Sequence, residues 1–123
     1  MPDDTGPTRP VLAANPEHCP VDATLRVIGG RWKPLILYHL RAQPQRFNAL
    51  RRLMPTVTQR VLTQNLRELE ADGIVSRTVI DLVPPHVEYA FTPRGRTLLP
   101  VLDAMAEWGE HVAPTPAASI ASS

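Results

Sequence analysis

Between Thr58 and Gly73 the chain reads TQRVLTQNLRELEADG, and its apolar and polar positions fall on two sides of a helix. At about 100° per residue, Leu62, Leu66 and Leu69 form one stripe while Arg60, Thr63, Gln64 and Arg67 fall opposite. Thr56 or Thr58 is the N-cap, since Thr56 and Gln59 also have capping-box spacing, and Gly73 ends the helix. Three further helices are predicted upstream. Pro20, at a first helical position, starts one through Val21, Leu25 and Ile28, with Cys19 beside its N-cap and Gly29 and Gly30 as its stop. A second runs from about Lys33 to Leu40, where Leu35, Ile36, Leu37, Tyr38 and Leu40 are too apolar for an exposed element and predict the central core helix. A third, around Arg46 to Met54, puts Phe47, Leu50, Leu53 and Met54 on one side and Asn48, Arg51 and Arg52 on the other, and Pro55 ends it.

From Ile74 the period changes to two. VSRTVI and HVEYAF, in which Val87, Tyr89 and Phe91 alternate with His86, Glu88 and Ala90, predict a β-hairpin with a rigid tip at Pro84 and Pro85. Thr92 and Pro93 then cap a last helix to about Trp108, kinked at Pro100. Residues 1–17 and 113–123 are too polar and small to offset ordering entropy, so both read as flexible tails around one domain, 18–112. The fold class is mainly α with a small β-hairpin. Helix, helix, short helix, helix, hairpin, helix is the order of a winged helix-turn-helix.

Charge sharpens this picture. The net charge of +1 hides a basic middle, because Arg41, Arg46, Arg51, Arg52, Arg60 and Arg67 face only Glu68 and Glu70 over that stretch. In the fourth helix the layout opposes the helix dipole, with Arg60 in the first turn and Glu68, Glu70 and Asp72 toward the end, each unfavourable by roughly 0.3–1 kcal/mol if exposed. An arginine kept at the positive end of a helix is explained if it meets a polyanion there. The face around it combines guanidinium, amide and hydroxyl groups, the chemistry of a major-groove reader, in which arginine suits guanine and glutamine suits adenine. Thr58, Gln59, Arg60, Thr63, Gln64 and Arg67 are therefore the candidate groove contacts. Asn48, Arg51 and Arg52 are candidates for the phosphate backbone, and Arg77 and His86 for a wing contact. A merely solvated polar face is the competing explanation.

In the last helix Leu98, Leu99, Val101, Leu102, Met105, Ala106 and Trp108 cover about half the circumference, more than one small core needs. Leu98, Leu99, Val101, Leu102, Met105 and Trp108 are thus a candidate dimer interface, unless the helix simply closes the monomer's core. A twofold dimer would set two reading helices about one DNA turn apart and require a pseudo-palindromic operator.

The single cysteine, Cys19, excludes an intrachain disulfide and fits a reducing compartment. No apolar run approaches a membrane span and the front of the chain lacks signal-peptide features, so a cytoplasmic protein without membrane association is expected. A helix N-terminus favours thiolate, which makes Cys19 a candidate reactive sulfur; the alternative is an inert cysteine that packs as a small hydrophobe. His18, His39, His86 and His111 lie on separate elements, and no acid-base pair, phosphate loop or metal-ligand spacing is present. Neither an enzyme nor a cofactor is expected.

Five blocks in order, CPVDATLRVIGGRWKPLIL, RFNALRR, TQRVLTQNLRELEADGIV, VPPHVEY and FTPRGRTLLPVLDAMAEWG, resemble the HxlR-type winged-helix transcriptional regulators of bacteria and archaea. The resemblance covers Cys19 to Trp108. It implies a small homodimer that binds operator DNA, usually as a repressor and sometimes as an activator. In many members the cysteine matching Cys19 senses oxidants or electrophiles such as quinones and aldehydes. Two departures fall on the wing: Ile80-Asp81-Leu82 stands where a tyrosine and a glutamate are common, and His86 where arginine or lysine is common. The function expected is a sequence-specific regulator gated at Cys19 by an oxidant or electrophile. The alternatives are the same scaffold controlled by a small-molecule inducer, and a winged helix used only for protein interaction.

Overall fold

Proline, threonine and glycine set most element boundaries. The computed structural model describes residues 19–113, so the expected tails, apart from Ala113, lie outside the described residues. Helix α1 spans Pro20–Ile28 with Cys19 itself as N-cap, and α2 spans Lys33–Leu40. A two-residue strand β1, Gln45–Arg46, leads directly into α3, Phe47–Leu53. Helix α4 covers Gln59–Ala71 behind the N-cap Thr58, which settles the choice between the two threonines. Strands β2, Val75–Ile80, and β3, His86–Phe91, form the wing, and helices α5, Pro93–Arg96, and α6, Leu99–Val112, close the domain.

The leucine stripe of α4 is the centre of the core: Leu62, Leu66 and Leu69 are buried against Ile36, Leu37, Leu40 and Leu50. Burial on this scale stabilises by about 1.5–3 kcal/mol per side chain. At the end of α4, Gly73 takes φ +74°, its N–H donates to Glu70 O and the Ile74 N–H reaches back to Leu69 O, both at 2.9 Å. That is a Schellman stop, which needs a residue without a Cβ penalty at the glycine position. It turns the chain straight into β2, and Thr92 Oγ1 donates to Gly73 O while accepting from the Gly95 N–H at 2.9 Å, tying the stop to α5.

Four features differ from the sequence expectation. The hairpin is part of a three-stranded antiparallel sheet in the order β1-β3-β2, with Gln45 opposite Tyr89 and Arg46 opposite Glu88. A two-residue strand is too short to show a period. The expected last helix is two helices, not one kinked at Pro100. The N–H groups of Thr97 and Leu98 bond to the carbonyls of Arg94 and Gly95, a tight turn that ends α5, and Pro100 then sits in the first turn of α6, where its missing N–H costs nothing. Leu53 is exposed rather than on the buried side, because the short α3 turns only Leu50 and the following Met54 fully inward. Helix α2 is central, yet Leu35 and Tyr38 are exposed and only Ile36, Leu37 and Leu40 are buried.

Candidate nucleic-acid interface

With one side of α4 locked in the core by leucines, its opposite side is presented outward as a unit. Gln59, Arg60, Thr63, Gln64 and Arg67 line a single open concavity. The first turn of the helix holds no acidic residue and the last turn no basic one, the inverted layout read from the sequence. Thr58 caps the helix, its Oγ1 accepting the Val61 N–H at 3.1 Å, which leaves its hydroxyl proton free to donate. Arg51 Nη1 lies 3.5 Å from Gln59 Oε1, so α3 and the start of α4 meet on this surface.

A carboxylate also reaches this face. Gln64 Nε2 donates to Glu68 Oε2 at 2.8 Å, and Lys33 Nζ, on a side chain only 12 % exposed, pairs with Glu68 Oε1 at 2.6 Å. The hydrogen bond from Lys33, and then that from Gln64, hold the Glu68 carboxyl below the usual carboxylate range. Glu68 is therefore ionised and its charge is compensated from α2. Neither Lys33 nor Glu68 was a sequence candidate. The spacing of four between Gln64 and Glu68 was visible, whereas Lys33 meets them only through the packing of α2 on α4.

A second groove runs between α3 and the wing, lined by Arg46, Phe47, Asn48 and Arg52 on one side and Pro84, Pro85, His86 and Val87 on the other. Asn48 and Arg52 thus share a surface with the wing, and Arg46, also absent from the sequence candidates, is brought in by strand β1. His86 is mostly buried and lines this groove instead of standing free on the wing. Its side chain is 15 % exposed, and its Nε2 is buried, lacks a hydrogen-bond partner and lies 3.7 Å from Glu88 Oε2. The cause is its place at the first position of β3, opposite Ile80, folded toward the groove. Arg77 is exposed on β2 but lines neither surface. The wing tip beyond it is apolar and open, with Leu82 and Val83 exposed.

The expected dimer residues divide. Leu102 is 2 % exposed within the chain's own core, and Leu98 and Leu99 pack partly buried against that core, so Leu102 is a core residue and not an interface one. Val101, Met105 and Trp108 are exposed, together with Val112. Met105 and Ala106 border an apolar hollow completed by Pro34, Leu35, Tyr38 and Leu102. Cys19 is exposed, and its Sγ accepts the Val21 N–H at 3.3 Å.

The family model of the HxlR-like helix-turn-helix matches residues 27–116. The chain belongs to this family. The HTH-type transcriptional regulator YybR of Bacillus subtilis (strain 168) is 57% identical over 96 residues, covering 78% of this chain and 77% of that protein. The solved structure of the redox regulator HypR in its oxidized form is similar at TM-score 0.75 and 55% identity, covering 79% of this chain and all of that one. The reduced form of HypR gives TM-score 0.72 and 56% identity over 76% of this chain and 92% of that one. The HxlR-like protein described here is accordingly a helix-turn-helix transcriptional regulator with a winged fold, and its relatives are regulators, not enzymes. The family match begins at Val27, so Cys19 and most of α1 lie ahead of it. Among the described residues no helix is long and apolar enough to cross a membrane.

Proposed function

We propose that this HxlR-like regulator is a homodimeric repressor that lays α4 into the major groove of each half of a pseudo-palindromic operator, with Cys19 as its thiol gate. The observation that carries the DNA reading is the single outward surface of Gln59, Arg60, Thr63, Gln64 and Arg67, adjoined by Arg51 of α3. Asn48, Arg52 and Arg46 supply phosphate contacts beside it.

The dimer rests on spacing in α6. The exposed Val101, Met105, Trp108 and Val112 follow one another by four, three and four positions, the pattern of a coiled-coil seam. Asp103, Glu107 and Glu110 fall on the opposite side of the helix, and the positions flanking the seam include Ala104 and Gly109, so two copies approach without carboxylates between them. Thiol gating is supported by the exposed Cys19 at the start of α1 and by the likeness to a redox regulator known in oxidized and reduced forms. Oxidation to an intersubunit disulfide, or adduct formation with an electrophile, would move α1 and change the spacing of the two reading helices.

The test is an anisotropy titration of the full chain against DNA from its own upstream region, reduced and after diamide or a quinone, beside Cys19→Ser. Binding that the oxidant changes only when Cys19 is present supports the gate. Binding indifferent to oxidant removes the gate and leaves control to a small-molecule inducer, for which the apolar hollow beside α6 is the site to examine. An absence of salt-dependent DNA binding overturns the reading in favour of protein interaction.

A further inference from the structure

Glutamine is an ambiguous reader of DNA, because its amide can present either its oxygen or its nitrogen to a base edge. In this protein the ambiguity is removed by two neighbouring charged groups. Gln64 lies on the outward surface of α4, one turn ahead of Glu68, whose Oε2 is 2.8 Å from Gln64 Nε2. An ionised carboxylate only accepts hydrogen bonds, so the atom facing it must be the amide nitrogen. Glu68 is held in turn by Lys33 Nζ at 2.6 Å, on a side chain with little room to wander. The chain Lys33, Glu68, Gln64 runs from the start of α2 to the surface of α4.

We infer that Lys33 and Glu68 are positioning residues for sequence readout: they fix the Gln64 amide so that its oxygen and its one remaining N–H face the groove as a pair that selects adenine. The inference rests on the proposed reading that this face of α4 enters the major groove. An acceptor beside a donor is the complement of adenine, which offers its N6 amino hydrogen and its N7 lone pair on one edge. Guanine offers two acceptors there and would leave the Gln64 oxygen facing an oxygen. Lys33 has a second effect, since without it the Glu68 carboxylate would stand uncompensated near the phosphates. This also explains why a carboxylate is tolerated on the reading helix at all. Its low-lying ionisation keeps the arrangement intact through the neutral range.

The experiment is selection of the full-length protein on a randomised double-stranded DNA library, with wild type, Gln64→Ala, Glu68→Leu and Glu68→Gln compared by the base preference at each operator position. The wild type is expected to require adenine at one position of each half-site. Gln64→Ala and Glu68→Leu should both lose roughly 5- to 150-fold of discrimination at that position, with the preferences at other positions unchanged. Glu68→Gln keeps the side-chain volume but lets the amide turn either way, so it should broaden the same position less completely, and it stands in if Glu68→Leu fails to fold. A preference lost in Gln64→Ala but kept in both Glu68 variants overturns the positioning role. Selection of guanine at the Gln64-dependent position overturns the assignment of the amide. A library indifferent to Gln64→Ala shows instead that the groove reading of α4 fails at this residue, and the inference falls with it.

Discussion

Gly95 packs so closely on Ile74 that a methyl group added to its Cα would overlap the Ile74 carbonyl oxygen and press on the Phe91 ring. The contact joins α5 to the point where α4 gives way to the wing, and Thr92 bonds to the same segment. Gly95→Ala is therefore expected to destabilise the fold by about 1–3 kcal/mol, the range for overpacking against groups that cannot move aside. A urea titration measures it. An unchanged midpoint would mean that α5 is free to shift.

Arginines on the two surfaces should act differently on DNA. Arg52→Ala, in the groove beside the wing, is expected to weaken binding about equally on all sequences and to reduce the log-log salt slope by about 0.9. Arg60→Ala, on the surface of α4, should cost about 1–3 kcal/mol and relax preference at one operator position. Titrations at several salt concentrations on operator and scrambled DNA separate the two. Identical behaviour of the variants would contradict the division of labour.

The buried Nε2 of His86, which makes no hydrogen bond, makes a substitution there a test of the wing. Removing a buried polar atom that makes no hydrogen bond, and only a long contact with a partly exposed Glu88, is expected to be neutral or stabilising. His86→Leu should keep or raise the thermal midpoint and leave the salt slope of DNA binding unchanged. A slope that drops by one phosphate would restore His86 as a DNA contact.

Leu102 and Met105 lie three positions apart on α6, one buried in the core and the other exposed on the proposed seam. Leu102→Ala should cost about 2–5 kcal/mol of stability, as deletion of a buried leucine does. Met105→Glu should leave the fold intact and yield a monomer in sedimentation velocity, because it places a charge on the exposed seam. A Met105→Glu protein that still sediments as a dimer would move the interface away from α6.

Burial lowers the pKa of His39 from the ordinary 6.5. The unfolded chain then takes up a proton near that value that the folded chain refuses until lower pH. The stability this group contributes is present above pH 6.5 and lost as the pH falls through its depressed value. Glu68, also depressed, adds a loss of the same sign below the usual carboxylate range. Denaturant midpoints should decline from neutral toward acid, and His39→Gln should flatten the first part of that decline.

The chain itself determined whatever depends on residues a few positions apart. The leucine stripe of α4, a threonine cap at Thr56 or Thr58, the Gly73 stop, Pro20 at the head of α1 and the alternation in the wing strands are local, because side-chain period and cap hydrogen bonds act within one or two turns. So the winged helix-turn-helix and the outward polar face of α4 were legible. Tertiary packing decided the rest. Periodicity shows that a side of a helix is apolar but not which neighbour covers it, so Leu102 and Met105 looked alike until the core claimed one of them. Strand β1 acquires its identity only by pairing with β3, and the close seat of Gly95 on Ile74 exists only once α5 packs on the end of α4. His86 looked like a wing contact until the groove beside α3 enclosed it, and Lys33 meets Glu68 only because α2 packs against α4. Such partners are chosen by shape and burial across the folded chain, at separations where the sequence leaves no local mark.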